Sequence, residues 1–300
     1  MFAITILGNN SALPMHDRHP TSQIVAVDEH VFMVDCGEGA QIQMNRFKIR
    51  RSRISHIFIS HMHGDHYFGL PGLLNSFSLT TRTEDLHLYG PPALKEILDL
   101  QFKAANAVLS YPLHFHPLTD AGIILDEKRV TVSCFPVTHR IECWGFLFRE
   151  KEKQRKVDPD KAIEFGIPSA FFGKLKEGYD YVTKEGETIK NEWVTKSPPH
   201  PRSYAYCADT LYEEKILGTI SGADLVYHEA TYLDNMRDTA TSRFHSTAKQ
   251  AAMIAQKAGA KKLLLGHFSS KYEDLNLFYQ EAATVFENTD LAREGVTYLI

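Results

Sequence analysis

A short loop rich in histidine, residues 60–66, follows an apolar segment at residues 54–59. The β-branched and aromatic residues of that segment predict a buried strand, and Gly64 predicts a tight turn after it. The turn carries four side chains able to bind metal: His61, His63, Asp65 and His66. Imidazole and carboxylate are the ligands that zinc and similar divalent ions prefer, so the loop predicts a metal site at the end of a strand. The alternative is a solvated loop that happens to be rich in histidine.

Three further candidate ligands stand at the ends of other predicted strands: His139, Asp209 and His267. A tetrahedral ion takes three or four protein ligands, so seven exceed the needs of one ion. The pattern therefore predicts two metal ions with Asp209 between them. One ion would be held by His61, His63 and His139, and the other by Asp65, His66 and His267. A lone histidine at a strand end is more commonly a structural residue, but the first loop cannot complete two coordination spheres by itself.

Strand and helix patterns alternate in two halves of the chain, which predicts a layered α/β domain spanning residues 1–300. Between the halves, residues 150–200 are charged, rich in glycine and proline, and weakly periodic. This composition predicts an insertion and no second core. In the second half, Thr247 and Gln250 predict a capping box at the start of a helix that Gly259 ends, and the strand after it leads to His267.

Composition narrows the possible functions. The net charge of −4 excludes a globally basic nucleic-acid binder but leaves room for a local basic patch. Such a patch lies within residues 45–53. It predicts phosphate binding, and the alternative is a charged surface that only contacts solvent. Its basic residues are Arg46, Lys48, Arg50, Arg51 and Arg53.

The four cysteines are scattered, with no closely spaced pair, which favours reduced thiols over a disulfide framework. No apolar stretch reaches the length of a membrane span, and the amino terminus lacks the pattern of a secretory signal. We therefore expect a cytoplasmic protein with no membrane partner.

The loop "SHMHGDH" resembles the signature of the metallo-β-lactamase superfamily. Further segments make the chain similar to the ribonuclease Z family of tRNA 3′-processing endonucleases over essentially its whole length: "VDCGEGAQIQM", "YGPPALKEIL", "CADT", "YHEATY", "HSTAKQAA" and "LLLGHFSSKY". The resemblance implies a four-layer αβ/βα sandwich from which the insertion protrudes as an arm. It also implies a homodimer with two zinc ions per subunit on the same seven ligands, and cleavage of precursor tRNA just after the discriminator base.

The mechanism expected from these residues is attack on the phosphodiester by a metal-activated hydroxide, with Asp65 orienting the water or accepting its proton. The resemblance suggests His245 as the acid for the departing ribose oxygen, steadied by Glu229. The alternative for His245 and Glu229 is a structural role, since polar residues near a helix start often only cap the helix. Asp35 is expected to accept a ring N–H from a ligand, or else to close its strand with an Asx turn.

The resemblance also implies RNA contacts away from the metals. Residues 166–178 are similar to the arm that grips the elbow of tRNA, with Lys174 and Lys176 as phosphate contacts and Phe171 and Phe172 as anchors of the arm's base. A loop associated with the tRNA 3′ end usually reads P-x-K-x-R-N. This chain keeps Pro14 and Arg18 but has His16 and His19 in place of the lysine and asparagine. Arg18 is therefore included among the predicted RNA contacts.

Three other functions fit parts of the pattern. A small-molecule phosphodiesterase of the same superfamily would use the same metals but would not need the arm. A flavodiiron-type redox protein would need a flavin-binding partner domain and ligands richer in carboxylates. An RNA-binding module with a decayed site is disfavoured because no ligand position is missing.

Overall fold

A computed structural model describes residues 1–300, which divide into a larger unit (residues 1–149 and 202–300) and a smaller unit (residues 150–201). The first half of the chain forms, in order, β1 (Phe2–Gly8), β2 (Asn10–Ser11), β3 (Ser22–Val27), β4 (His30–Cys36), α1 (Ala40–Arg46), β5 (Ile54–Phe58), α2 (Gly64–Tyr67), α3 (Leu70–Leu79), β6 (Leu86–Gly90), α4 (Pro92–Ala104), β7 (Leu113–Pro117), β8 (Gly122–Asp126), β9 (Val130–Pro136) and β10 (Trp144–Glu150).

The remaining elements complete both units. The smaller unit contains β11 (Lys156–Val157), α5 (Pro159–Glu164), α6 (Phe172–Lys176), β12 (Tyr181–Val182), β13 (Thr188–Ile189), α7 (Asn191–Val194) and β14 (Thr195–Lys196). The last hundred residues form β15 (Ser203–Cys207), α8 (Leu217–Ile220), β16 (Leu225–Glu229), α9 (Arg237–Ser242), α10 (Ala248–Lys257), β17 (Leu263–Gly266), β18 (Phe268–Ser269), α11 (Asn276–Ala283), β19 (Thr289–Leu291) and β20 (Thr297–Leu299).

Two seven-stranded sheets form the centre of the larger unit. The first has the strand order β20-β1-β3-β4-β5-β6-β7, and the second has the order β19-β17-β16-β15-β10-β9-β8. Strands β4 to β7 run parallel, as do β15, β16, β17 and β19. In open parallel sheets the carboxyl ends of the strands are the usual place for a ligand site.

Aromatic side chains join the two sheets face to face. The ring centroids of Phe32 and Phe148 are 5.6 Å apart, and those of Phe58 and Phe146 are 5.4 Å apart. All four rings are fully buried. Burying one such side chain stabilises the fold by about 1.5–3 kcal/mol, so this layer contributes much of the cohesion between the sheets.

Helices cover the outer face of each sheet. Met44 of α1, Leu73 of α3 and Leu98 of α4 pack in one cluster with buried residues of the first sheet. Ala252 of α10 and Phe278 of α11 belong to the cluster that includes the second sheet. The resulting order of helix, sheet, sheet and helix confirms the predicted αβ/βα sandwich.

The predicted helix start at residue 247 is confirmed in detail. The Thr247 side chain accepts a hydrogen bond from the backbone of Gln250, and the Gln250 side chain accepts one from the backbone of Thr247. Gly259, just after α10, has a φ of 63°, a conformation that glycine adopts without steric cost. Strands β7, β8, β19 and β20 and helix α11 lie in segments for which the sequence made no assignment.

The prediction that residues 150–200 have no core of their own is wrong. The smaller unit buries five apolar side chains together: Ala162, Ile167, Leu175, Ile189 and Val194. The amide of Asn191 donates hydrogen bonds to the carbonyls of Leu175 and Tyr179 at 2.8 and 2.9 Å, which ties the unit together. Its helices and strands have only two to six residues each, too few for their periodicity to stand out in the sequence.

A ladder of histidines lies on the same side of three neighbouring strands. His56 pairs in register with His87, and the two rings stack with centroids 4.8 Å apart. His56 is only 6% exposed. Burial, together with His87, His30 and His116 nearby, lowers the pKa of His56 to about 3.

This depressed pKa predicts acid-sensitive stability. Above pH 6.5 His56 is neutral in both folded and unfolded chains, but below that pH the unfolded chain gains a proton that the folded chain does not. At pH 5 the cost to folding is about 2 kcal/mol. We expect His56→Phe to reduce the loss of unfolding free energy between pH 7.5 and pH 5 by about that amount, as measured by denaturant titration. His200→Phe, which alters an exposed histidine, is the control and should leave that loss unchanged. An equal loss in the wild type and His56→Phe would contradict the prediction.

No helix in the structure combines the length and the apolar composition needed to cross a membrane.

Candidate metal centre

The seven predicted ligands come from the ends of four strands and one helical turn. His61 follows β5, His63 directly precedes α2, and Asp65 and His66 lie in α2. The other three come soon after β9, β15 and β17: His139, Asp209 and His267. The structure brings all seven together, and their donor atoms form two groups in which every atom lies within 4.8 Å of the others.

The first group contains three histidines and one oxygen of Asp209. Nε2 of His61 lies 3.0 Å from Nδ1 of His63, which lies 3.1 Å from Nε2 of His139. Oδ2 of Asp209 lies 3.7 Å from His61 Nε2 and 3.9 Å from His139 Nε2. Three ring nitrogens and a carboxylate oxygen around one point are a donor set that suits a zinc-like ion.

The second group contains Asp65, His66 and His267. The Nε2 atoms of the two histidines are 3.3 Å apart, and Oδ2 of Asp65 lies 3.6 Å from His66 Nε2 and 3.4 Å from His267 Nε2. The other oxygen of Asp209, Oδ1, lies 3.5 Å from His66 Nε2 and 3.2 Å from His267 Nε2. Asp209 therefore presents one oxygen to each group.

The buried polar atoms of this site fit divalent cations. Oδ1 of Asp209 is buried and has no hydrogen-bond donor. A buried carboxylate oxygen without a partner costs free energy, and a metal ion removes that cost. A third group of donors, which includes Asp209, His267 and His245, lies within the same distance limit.

Hydrogen bonds to the outer ring nitrogens orient four of the histidines. Each Nδ1 has a nearby oxygen: Ser60 Oγ for His61 at 2.9 Å, Asp35 Oδ2 for His66 at 2.7 Å, the Phe244 carbonyl for His139 at 2.8 Å, and Thr231 Oγ1 for His267 at 3.0 Å. With Nδ1 held in this way, each Nε2 points toward the two groups. Such outer contacts are typical of metal-binding histidines because they set the ring orientation and the tautomer.

The electrostatics of the cluster keep Asp209 charged and act on the imidazoles in opposite directions. Burial alone would lower the pKa of His66, but Asp209 and Asp65 outweigh it and raise that pKa well above its usual range. Burial, reinforced by His139, lowers the pKa of His63 to about 4. Burial alone would raise the pKa of Asp209, but His267 and His66 outweigh it and hold that pKa well below its usual range. Unprotonated imidazole and ionised carboxylate are the forms that bind metal.

Asp35 forms the centre of a fully buried hydrogen-bond network. Its Oδ1 accepts from the Ser60 backbone at 2.7 Å. Its Oδ2 accepts from the Ser60 hydroxyl at 2.9 Å, from the Tyr206 hydroxyl at 2.6 Å, and lies 2.7 Å from His66 Nδ1. Asp35 has a φ of 54°, and His267 has a φ of 57°. Left-handed backbone at a non-glycine residue is strained, and these contacts hold it in place.

Tyr206 is a site residue that the sequence analysis missed. Strand alternation places it between the sheets, but its hydroxyl could have bonded elsewhere, and no local motif marks Asp35 as its partner 171 positions away. Ser60 and Thr231 were missed as well, and each has a partner in a distant segment, Asp35 for Ser60 and His267 for Thr231.

We expect Tyr206→Phe to weaken metal binding by up to about tenfold, because its hydroxyl acts on His66 through Asp35 and loss of a ligand's direct partner costs about 10–100-fold. Competition with a chelator of known affinity would measure it. Tyr204→Phe is the matched control, since Tyr204 is equally buried but donates to Gln23. Equal metal affinity in the wild type and Tyr206→Phe would show that the network does not tune His66.

The predicted acid, His245, has a close carboxylate partner. Its Nδ1 lies 2.9 Å from Oε1 of Glu229. Glu229 is fully buried and also accepts hydrogen bonds from the backbones of Thr210, Ser246 and Thr231. Burial alone would lower the pKa of His245, but Glu229 outweighs it and raises that pKa to about 9. Glu229 therefore favours the protonated form of His245 beside the predicted metal ligands.

Gly64 has a different role from the predicted one. It opens α2 with an ordinary helical φ, so the turn does not require a glycine for its backbone. Instead, a Cβ at this position would lie 2.2 Å from the ring of Phe68, which packs against the loop. No motif in the sequence marks Phe68 as a partner of Gly64.

The predicted RNA contacts lie at several places. Four basic residues in or after α1 are on the surface or partly exposed: Arg46, Lys48, Arg50 and Arg51. In the smaller unit, Lys174 and Lys176 of α6 are exposed, and Phe171 and Phe172 pack against that unit's core. Arg18 is only 9% exposed and donates to the Tyr272 carbonyl at 2.6 Å, so its guanidinium is held within the larger unit.

Comparison with known proteins first defines the class. A family model described as the anti-Pycsar protein Apyc1 matches residues 2–152, so the chain belongs to this family over its amino-terminal half. The structure of the metallo-β-lactamase fold protein YhfI from Bacillus subtilis superimposes with a TM-score of 0.70 over 100% of both chains, at 18% identity. The fold and the histidine-aspartate cluster thus define a protein of the metallo-β-lactamase fold.

More similar relatives define the family. The chain is 42% identical to ribonuclease Z of Bacteroides fragilis over 98% of both chains, and 43% identical to that of Cytophaga hutchinsonii over 100% of this chain and 96% of the relative. The structure of human tRNase Z, short form, superimposes with a TM-score of 0.74 at 25% identity over 99% of both chains. The chain belongs to the ribonuclease Z family, which confirms the resemblance seen in the sequence.

Proposed function

We propose that this protein is a zinc-dependent endoribonuclease that removes the 3′ trailer from precursor tRNA by cutting after the discriminator base. The observation that carries the proposal is the pair of donor groups that share Asp209, in a chain 42% identical to ribonuclease Z over nearly its full length. The seven ligands of the two ions are His61, His63, Asp65, His66, His139, Asp209 and His267.

When bound, two divalent ions supply positive charge that neutralises the phosphodiester and make a water molecule nucleophilic at neutral pH. Asp65 borders the open cavity beside the cluster, and its Oδ2 accepts a hydrogen bond from the backbone of Ala12 at 2.8 Å. A carboxylate held in this way orients the attacking water and accepts its proton.

The departing ribose 3′-oxygen needs a proton, because an alkoxide is a poor leaving group. His245 borders the same cavity and carries a proton that Glu229 stabilises. His245 therefore acts as the general acid, and Glu229 holds its ring in position.

Two basic regions bind phosphates of the tRNA. One lies at and after the end of α1 and contains Arg46, Lys48, Arg50 and Arg51. The other contains Lys174 and Lys176 of the smaller unit, which acts as the substrate-binding arm. Lysine and arginine on exposed surfaces supply the electrostatic part of nucleic-acid binding. Arg18 supports the loop near the 3′ end from within the fold.

The protein acts as a homodimer in the cytoplasm. All four cysteines are free and buried, which suits a reducing compartment. The dimer rests on the family resemblance.

Cleavage of a 3′-extended tRNA precursor by the purified protein tests the function. The wild type is compared with Asp65→Ala and with the double variant Lys174→Ala/Lys176→Ala, and bis(p-nitrophenyl) phosphate serves as a second substrate. Lys103→Ala/Lys128→Ala, two exposed lysines of the larger unit with no assigned role, is the control for lost charge.

We expect the wild type to cut at the discriminator base, Asp65→Ala to be inactive on both substrates, and the arm variant to lose activity on tRNA alone. If tRNA stays intact while the small diester is hydrolysed, the protein is a small-molecule phosphodiesterase and the arm assignment is wrong.

A further inference from the structure

The cavity beside the metal centre is lined by side chains of two kinds. Its volume is about 450 Å³. Charged and polar groups form part of the lining: Glu38, His63, Asp65, Arg140, Asp209 and His245. Apolar groups form another part, here called the apolar wall: Ala12, Leu13, Pro14, Pro20 and Phe68. A nucleotide has the same division, with an anionic phosphate at one end and an aromatic base at the other.

Phe68 is the most exposed aromatic ring of this cavity. Its side chain is 63% exposed, although full burial of such a ring would stabilise the fold by about 1.5–3 kcal/mol. The neighbouring Tyr67 is half-buried against the helices of the first layer, so the chain has an apolar environment next to Phe68 that this ring does not enter. Leu13, on the same apolar wall, is 54% exposed.

The ring of Phe68 packs over the loop that carries the predicted metal ligands. It lies so close to Gly64 that any side chain there would overlap it, and it packs edge-on against Tyr67 with centroids 5.0 Å apart. Gly64 separates two of the predicted metal ligands, His63 and Asp65. The ring therefore lies directly beside the reacting centre, where a base stacked on it would flank the scissile phosphate.

We propose that Phe68 is a stacking platform for the base of a nucleotide next to the scissile phosphate, with Leu13 on the same apolar wall and Arg140 near the phosphate. Arg140 fits this role because its Nη2 lies 3.2 Å from Nε2 of His63, at the edge of the metal centre. Aromatic stacking accepts any base, so this contact positions the substrate without selecting its sequence. The inference rests on the proposed RNA substrate and adds the residue that places the cleavage site.

The test measures kcat/KM on a 3′-extended tRNA precursor for the wild type, Phe68→Leu and Phe68→Trp. Loss of one stacked base weakens binding about tenfold or more, so Phe68→Leu should lower kcat/KM by that factor while Phe68→Trp stays close to the wild type. Leu100→Ala, which removes an exposed apolar side chain on α4 that does not line this cavity, is the control. Metal content is measured for each variant, because Phe68 touches the metal loop.

A second experiment identifies the nucleotide that Phe68 contacts. Precursors with an abasic site at each nucleotide flanking the cleavage point are cut by the wild type and by Phe68→Leu. At the stacked position the abasic change should slow the wild type about tenfold and leave Phe68→Leu unaffected, since the contact is already lost. In addition, 2-aminopurine at that position should be quenched on binding to metal-depleted wild type and not to metal-depleted Phe68→Leu.

Several results would overturn the inference. If Phe68→Leu and the abasic site lower the rate independently at every position, so that their separate factors multiply, Phe68 does not touch a base. A fall in rate explained by a fall in metal content would show that the ring only supports the loop. If the wild type cuts the precursor and Phe68→Leu cuts it equally well, the inference fails while the proposed function stands. If the wild type cuts no precursor at all, both fail together.

Discussion

Replacing Asp209 by alanine should remove both metal ions and nearly all activity. Its two oxygens face different donor groups, Oδ2 toward His61 and Oδ1 toward His66 and His267. No other residue links the groups in this way, so neither ion keeps its full ligand set. Metal ions contribute several kcal/mol to such a reaction, and a loss of about 4 kcal/mol corresponds to about a thousandfold in rate. Elemental analysis of the purified protein and cleavage of a tRNA precursor measure the two effects.

The control for this prediction is Asp120→Ala, which removes an exposed carboxylate of the larger unit. It should keep two ions and full activity. If Asp209→Ala also retained two ions at wild-type affinity, Asp209 would not bridge them, and the orphaned Oδ1 would need another explanation.

Replacing His245 by alanine should slow cleavage of tRNA far more than cleavage of an activated diester. A general acid contributes about 10²–10⁴-fold when the leaving group is a poor one such as the ribose oxygen. The p-nitrophenolate ion leaves without a proton, so the rate on bis(p-nitrophenyl) phosphate should change little. Parallel assays of His245→Ala on the two substrates, with metal content determined for each preparation, measure the difference.

Glu229→Gln separates positioning from acid catalysis in the same experiment. With its amide oxygen in the place of Oε1, it keeps the hydrogen bonds from the backbones of Thr210 and Ser246 but loses the one from Thr231, and it removes the charge that stabilises a protonated His245. We therefore expect a smaller loss on tRNA than in His245→Ala and again little change on the activated diester. If His245→Ala instead lost equal activity on both substrates, His245 would be a metal ligand, as its distance to Asp209 and His267 allows.

Much of the fold could be predicted because its signals are local. The β-branched run before His61, the capping box at Thr247 and the glycine after α10 each lie within a few residues of the structure they specify. The smaller unit was less predictable because its elements are too short to show a period, and its core joins residues from Ala162 to Val194. The role of Gly64 was misjudged because the crowding ring, Phe68, folds back over it from one helical turn further along the chain, and the sequence does not show where that ring points.

The candidate metal ligands could be chosen from the sequence alone, because four of them crowd into one short loop and the chemistry of imidazole and carboxylate restricts what such a loop can do. Family resemblance then supplied the proposed acid. Only the tertiary structure decided the contacts between distant segments of the chain. It placed the two oxygens of Asp209 toward different donor groups, joined Tyr206 to Asp35, and left Phe68 exposed beside the reacting centre. The physical reason is that hydrogen bonds and the exposure of a ring depend on which side chains the packed sheets bring together. Residues 171 positions apart carry no local sequence pattern from which their contact could be predicted.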